Sequence, residues 1–378
     1  MRCFRNVALA IVLSSLILGL GWRIVVHAQD VATTSAVNGP AATLFKAAPL
    51  MLTGRVDSNS PAVWDRQDGR NTFHVFTSFA GLPSLAVGSD LVRMGSAQPV
   101  TLEGFERGGY WLEAVVQDLD DTLYGYYHNE RAATECGDAT RMVPRIGAAR
   151  STDRGRSWQN LGVLIESGRG TLDCSTTNKF FVGGVGDLSV MLDRDSKDLY
   201  VFYSEYSRHV SSQGVGVARL LWADRDDPVG RVSIWREGIW QSPRKMRQIR
   251  DDGTPIVRFL YPSATPLFPT KDSWHDDNTS TDAFWGPSMH WNTYLQQYVM
   301  LLNRAKNSEF DQDGIYVSFS PRLDDPSRWS PPERIIKGGS WYPQVLGLEA
   351  GVGSDKIAGE WARLFLTGRS EYVIQFSK

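Results

Sequence analysis

Five times along the chain, a run that starts with a small residue, a tryptophan or a Pro step leads into an apolar body. Each is followed by a turn and an aromatic-rich run. The first members are residues 60–64, 111–115, 186–190, 285–289 and 341–345, and the second are 72–77, 122–128, 198–204, 297–303 and 362–367. A third apolar run follows each pair, at 85–91, 146–151, 215–222, 315–320 and 372–376, and fourth runs begin near Trp158, Trp235 and Trp329. Short apolar-aromatic runs punctuated by Gly, Asp, Asn and Pro are strands and turns, and helical periodicity is hard to find between them. Five units of three or four antiparallel strands predict an all-β chain folded as a single-domain five-bladed β-propeller. A β-sandwich is the competing architecture. The largest insertion is expected at about 241–282. The last unit is short, and a strand near residues 50–54 would complete it and close the ring.

The N-terminus reads separately. Arg2 and Arg5 precede an apolar run over 7–20, and Val26-His27-Ala28 places small residues where a signal peptidase reads them. Residues 1–28 are therefore expected to be a secretory signal. An uncleaved anchor is the alternative, although the run is shorter than the ~20 residues a membrane span needs. Residues 29–45, rich in Ala, Thr, Ser and Asn, read as a linker, and 46–378 as the propeller. The formal net charge of −2 becomes more acidic once Arg2, Arg5 and Arg23 leave with the signal. No Lys/Arg block is present, so neither a nucleic-acid partner nor, after signal removal, a membrane partner is expected. Cys3 lies in the signal. Cys136 and Cys174 form an even pair and are expected to be bonded in a secreted or periplasmic protein.

One local motif is sharp. Ser151-Thr152-Asp153-Arg154-Gly155-Arg156-Ser157-Trp158 matches the Asp-box pattern S-x-D-x-G-x-[ST]-W. Its Asp can accept backbone N–H bonds inside a turn, its Gly permits positive φ, and its Trp packs beneath. It predicts a hairpin staple between the third and fourth strands of one blade, and says little about chemistry. With the blade pattern over roughly 50–378, it makes the chain resemble the five-bladed propeller glycoside hydrolases, the arabinanase/xylosidase-like family 43 group and its relatives. That resemblance implies a carbohydrate substrate. It also implies a funnel at the start of the innermost strands, where three carboxylates serve as base, acid and a helper of the acid, and an inverting outcome.

Glycoside hydrolysis needs two carboxyl groups from different sides of the scissile bond. Three inner-strand positions qualify: Asp57 before the first, Glu113 in the second and Asp187 in the third. Gly183, Gly184 and Gly186 allow close backbone approach before Asp187. Glu113 sits among apolar residues, which suits a raised pKa and a general acid. Asp57 matches the family's first-blade base, but Ser58-Asn59-Ser60 separates it from Pro61 where the family has Asp directly before Pro. Asn59 is therefore a polar substitute in the substrate set. Glu130 and Glu205, after second strands, are alternative acids. Trp111, Trp285, Trp341 and Tyr342 would ring the funnel and stack on sugar faces, with Arg145 as a polar member; pairing of Arg145 with Glu113 is the structural alternative.

His128, His290 and His74 could line the axis. The absence of HxH or HExxH spacing argues against zinc. No cofactor or metal is expected, and a hydrated Ca²⁺ is the one ion the resemblance leaves open. The leading reading is a secreted glycoside hydrolase-like propeller. The alternatives are a noncatalytic carbohydrate-binding propeller, a sialidase-like exo-glycosidase using arginines such as Arg55, Arg145, Arg304 and Arg369, a metal-dependent lactonase-like enzyme, or a protein-interaction ring.

Overall fold

The computed structural model describes residues 39–66, 71–249, 253–275 and 280–378. The signal segment, and residues 29–38 of the expected linker, lie outside these. Among the described residues no α-helix forms, and no helix is long and apolar enough to cross a membrane.

The strands build five blade sheets in sequence order, antiparallel except for one short parallel edge strand in each of two blades. Blade 1 contains Ala62–Asp65, Thr72–Phe79, Leu82–Gly88 and Gln98–Pro99. Blade 2 contains Gly109–Gln117, Leu123–Ala132, Met142–Ser151 and Ser157–Ile165, with the short strand Thr101–Glu103 pairing in parallel on its outer edge. Blade 3 contains Val185–Leu192, Asp198–Glu205, Gly214–Leu221, Ser233–Arg236 and Ile239–Gln241. Blade 4 contains Phe284–Asn292, Gln297–Ala305, Gln312–Ser320 and Glu333–Lys337, with the short strand Ile357–Ala358 pairing in parallel beside Phe284–Asn292. Blade 5 contains Pro343–Gly347, Trp361–Leu366 and Arg369–Ser377.

The fourth strand of blade 5 is Ala41–Met51, paired antiparallel with Arg369–Ser377. The ring is thus closed by joining the two ends of the propeller chain, which removes a sheet edge that would otherwise be open. The closing strand starts earlier than residues 50–54, and it takes residues 41–45 out of the expected linker. The reason is register. Backbone pairing from Ala41↔Ser377 to Met51↔Arg369 holds the strand, and Ala42 and Leu44 pack against the core between blades 4 and 5. Composition reports neither.

The core lies between blades. One apolar cluster joins each neighbouring pair around the ring: blades 1 and 2 through Phe76 and Trp158, 2 and 3 through Tyr126 and Val201, 3 and 4 through Phe202 and Met300, 4 and 5 through Val317 and Phe376, 5 and 1 through Phe365 and Phe73. Both faces of a blade are therefore buried, which is why its central strands read as near-continuous apolar-aromatic runs. Segment 151–158 closes the hairpin between the third and fourth strands of blade 2. Asp153 accepts from Ser157 N at 2.9 Å, and Trp158 Nε1 donates to Gly155 O at 3.0 Å. Gly155 has φ +81°, and a Cβ there would stand 2.4 Å from Phe76, so this turn also fits blade 2 against blade 1.

Segment 241–282 contains a two-stranded hairpin, Arg244–Ile249 with Pro255–Leu260. A second long insertion, 166–184, leaves blade 2. It is clamped by the Cys136–Cys174 disulfide, whose partners are 38 residues apart, and by Met142, which bonds Phe180 O and Val182 N. In the chain-entropy picture such a loop is worth ~3–4 kcal/mol. Replacing both cysteines by Ser should lower the unfolding free energy by about 3 kcal/mol in a urea titration. An unchanged midpoint and slope would show that the cross-link does not constrain the unfolded chain.

Candidate active site

Where the innermost strands begin, around the ring axis, a cavity of about 220 Å³ opens. Local backbone irregularities aim its side chains. The inner strands of blades 2 and 3 each carry a bulge, between Leu112 and Ala114 and between Gly186 and Leu188, and the residue set out of register is Glu113 in one and Asp187 in the other. A bulge re-aims a side chain that strict alternation would turn into a blade face. Asp187 takes φ +39°, and Phe310 and Tyr342, also on the cavity wall, take φ +61° and +54°. Left-handed backbone at non-glycine residues costs of order 1–3 kcal/mol each and concentrates at functional sites.

Alternation explains the next two groups. In Leu123–Ala132, Tyr124 and Tyr126 point into the core between blades 2 and 3. His128 and Glu130 continue the same face with period two, at the point where the strand leaves the core and reaches the cavity. Gly186 in blade 3 makes room for the imidazole, since a Cβ there would lie 2.7–3.0 Å from three His128 ring atoms.

The result is a buried network. Glu113 accepts from Leu188 N at 2.7 Å through one oxygen and meets His128 Nδ1 at 3.3 Å through the other. Asp187 lies 3.7 Å from the same nitrogen and accepts a hydrogen bond from the Tyr206 hydroxyl. His128 Nε2 lies 3.6 Å from Glu130. Burial pushes the Glu113 carboxyl up to about 7, helped by the charge of Asp187 and opposed by His128. Burial opposes an imidazolium at His128, but the nearby carboxylates of Asp187, Glu113 and Glu130 outweigh it and hold its pKa well above the ordinary value. Burial also raises Glu130.

Asp57 stands apart from this network. It accepts from Trp111 Nε1 at 2.6 Å and from Ala80 N at 2.9 Å. Burial raises its pKa, against those two donors.

Glu113, His128 and Asp187 bring one ligand-capable atom each to within 4.8 Å of one another, so they are the residues that could hold a cation. Protein donors already engage both Glu113 oxygens and one Asp187 oxygen, which makes a proton network the simpler chemistry.

Of the residues expected from sequence, Asp57, Glu113, Asp187, Trp111, Trp285, Trp341 and Tyr342 all line the cavity, and so does Glu130. Asn59 does not. It is buried and donates to Leu188 O and Pro287 O at 2.9 and 3.0 Å, tying the segment before blade 1 to blades 3 and 4. Arg145 does not either. It pairs with Glu106 at 2.7 Å and holds Asn129, because its strand position points it away from the axis, and it makes no pair with Glu113. His74 pairs with Asp65 in blade 1, and His290 packs on Phe376.

The arginines of the sialidase alternative are also elsewhere: Arg55 covers Phe79, Arg304 pairs with Asp313 and Arg369 with Glu371. Among the described residues no arginine or lysine lines the cavity. The sequence reading missed Phe180 and Phe181, which complete the wall from the 166–184 insertion, Phe310, which does so from the turn between Gln297–Ala305 and Gln312–Ser320, and Tyr206, on which Phe181 stacks at 4.6 Å. The adjacent aromatic pair before Gly183 was the available signal.

Glu205 is buried away from the cavity and accepts from Ala264 N at 2.9 Å, anchoring the segment after the inserted hairpin. Burial raises its pKa to about 7. A carboxyl raised in the fold keeps a proton that the unfolded chain has already lost, so its stabilising effect is present below the unfolded value of ~4.3 and fades as pH climbs toward 7. Glu205→Gln should therefore be more stable than the parent at pH 8, by up to about 3 kcal/mol, and nearly equal to it at pH 4. Urea titrations at the two pH values check this; a pH-independent difference would contradict it.

No protein family and no curated protein matches this chain by sequence. Solved structures similar in chain path include an endo-arabinase from Bacteroides thetaiotaomicron, at 10% identity over 86% of this chain and 97% of that one, with a TM-score of 0.48. An arabinanase from Bacillus subtilis follows at 11% identity over 85% and 96%, with a TM-score of 0.44. An exo-β-1,3-galactanase from Phanerochaete chrysosporium matches at 15% identity over 87% and 63%, with a TM-score of 0.46. The five-bladed assignment rests on the strand order and registers described above.

Proposed function

We propose that the cavity is the active site of an exported glycoside hydrolase acting on a carbohydrate. One observation carries the reading: one aromatic-walled cavity holds a carboxylate, Asp57, together with a separate, fully buried carboxyl, Glu113, which burial pushes up to about 7. That is the division a base and an acid need. Asp57 activates a water. Glu113 gives its proton to the leaving oxygen, and Asp187 and His128 tune it. Trp111, Trp285 and Trp341 supply flat faces for the sugar. Trp285 Nε1 and His128 Nε2, buried and without hydrogen-bond partners among the described residues, are available to sugar hydroxyls. The disulfide supports an oxidising compartment. Inversion is proposed from the family resemblance.

The test is hydrolysis of a panel of aryl glycosides and polysaccharides by the chain lacking residues 1–28, with product anomers followed by NMR. Turnover with an inverted first product is expected. No turnover on any substrate, with sugar binding retained on a glycan array, would replace this reading by the noncatalytic one. The burial of Glu113, 1% exposed with both oxygens engaged, is the observation that favours that second reading.

A further inference from the structure

The reaction as proposed uses three carboxylates. The cavity has a fourth. Glu130 lines it, beside Asp57, Glu113 and Asp187, and no Lys or Arg among the described residues joins them. Its carboxylate makes no hydrogen bond among the described residues; its one polar approach is His128 Nε2, at 3.6 Å. That imidazole is itself buried, with 4% of its side chain exposed, and Nε2 lacks a hydrogen-bond partner among the described residues. His128 also faces Glu113 and Asp187, so one imidazole is shared among three acids. Seven of the twelve lining side chains are aromatic. Rings present a negative face to a cation, and walls of this kind are the recognised setting for alkylated or protonated ammonium groups.

Resting on the hydrolase reading of the same cavity, we propose that its sugar subsite takes a protonated amino sugar, with Glu130 as the partner of the ammonium group and the surrounding rings as its apolar housing. Even with the His128 imidazolium and the Glu113 proton counted, the carboxylates of Asp57, Asp187 and Glu130 outnumber the one cation in the cavity wall, and such an excess in a partly desolvated cavity favours a ligand that brings positive charge, tolerates a neutral one and rejects a negative one. The order of affinity is therefore amine, then neutral hydroxyl or acetamide, then uronate.

Quenching of tryptophan fluorescence reads binding directly, since Trp111, Trp285 and Trp341 line the cavity. The probes are methyl glycosides of glucosamine and galactosamine, each beside its neutral parent, its N-acetyl form and the matching uronate, at pH 6. The better amine should bind about tenfold or more tighter than its neutral parent, and the uronates weakest. In Glu130→Gln the amine-to-neutral ratio should fall toward one. The wild-type ratio is a test even if that variant does not fold. An amine that binds no tighter than its neutral parent, silence of the whole panel included, overturns the proposal, as does a ratio that survives Glu130→Gln. Hydrolysis of a neutral glycan without amine preference would leave the hydrolase reading standing and remove this one. Tight amine binding with no turnover of any glycan would do the reverse.

Discussion

Glu113→Gln and Asp57→Asn should each lower glycoside turnover by about 10²–10⁴-fold while the chain still folds. Both replacements keep size and shape. The amide oxygen introduced at position 57 can still accept from Trp111 Nε1 or Ala80 N, and the one introduced at position 113 from Leu188 N. The cavity therefore keeps its outline while losing its base or its proton donor. The pH profile separates the two roles. Wild-type kcat/KM should rise as Asp57 ionises, at a pH that burial moves upward, and fall as the Glu113 proton is lost at about 7. Glu113→Gln should abolish the falling limb along with most of the rate, and Asp57→Asn the rising limb. Full activity in either variant would mean that the chemistry lies outside this cavity. Activity lost together with the cooperative unfolding transition would mean that the variant reports structure.

Gly186→Ala is the second large effect expected, and it adds one methyl group. The backbone at residue 186 is not left-handed, so alanine meets no φ penalty. Its Cβ, however, would lie 2.7 Å from His128 Cε1 and 2.9 Å from Nδ1. The ring has little room to retreat: Trp111 is 5.4 Å away on one side and Phe181 6.3 Å on another, centroid to centroid. Overpacking of this kind costs about 1–3 kcal/mol. Displacing Nδ1 also removes the group that faces Glu113 and Asp187, so turnover should fall at least tenfold and the falling limb of the pH profile should shift. A thermal melt and a pH–rate profile on the same preparation check both. Normal activity with normal stability would show that the imidazole can move freely and does not set the acid.

Much of this molecule is legible in one dimension because the propeller is built from local units. A strand, its turn and its neighbour lie within a few residues of each other, so the runs at 72–77, 198–204 and 297–303 fall inside Thr72–Phe79, Asp198–Glu205 and Gln297–Ala305. Glu113 and Asp187 were legible for the same reason: each interrupts an apolar inner strand, and an acid at such a place has to face a cavity or a partner.

Only the assembled ring decides the rest. Asn59 resembles a site residue in sequence, yet its amide is consumed by carbonyls 129 and 228 residues away. Phe180 belongs to the 166–184 insertion and Phe310 to the turn between Gln297–Ala305 and Gln312–Ser320 of blade 4, and their rings meet at 5.4 Å only in the assembled ring. The alternation of Tyr124, Tyr126, His128 and Glu130 along one strand is a local pattern. That its polar end should find Gly186 and Asp187 of the next blade depends on the rotation between blades, which is set by packing across the whole sheet face and by no single segment of the chain.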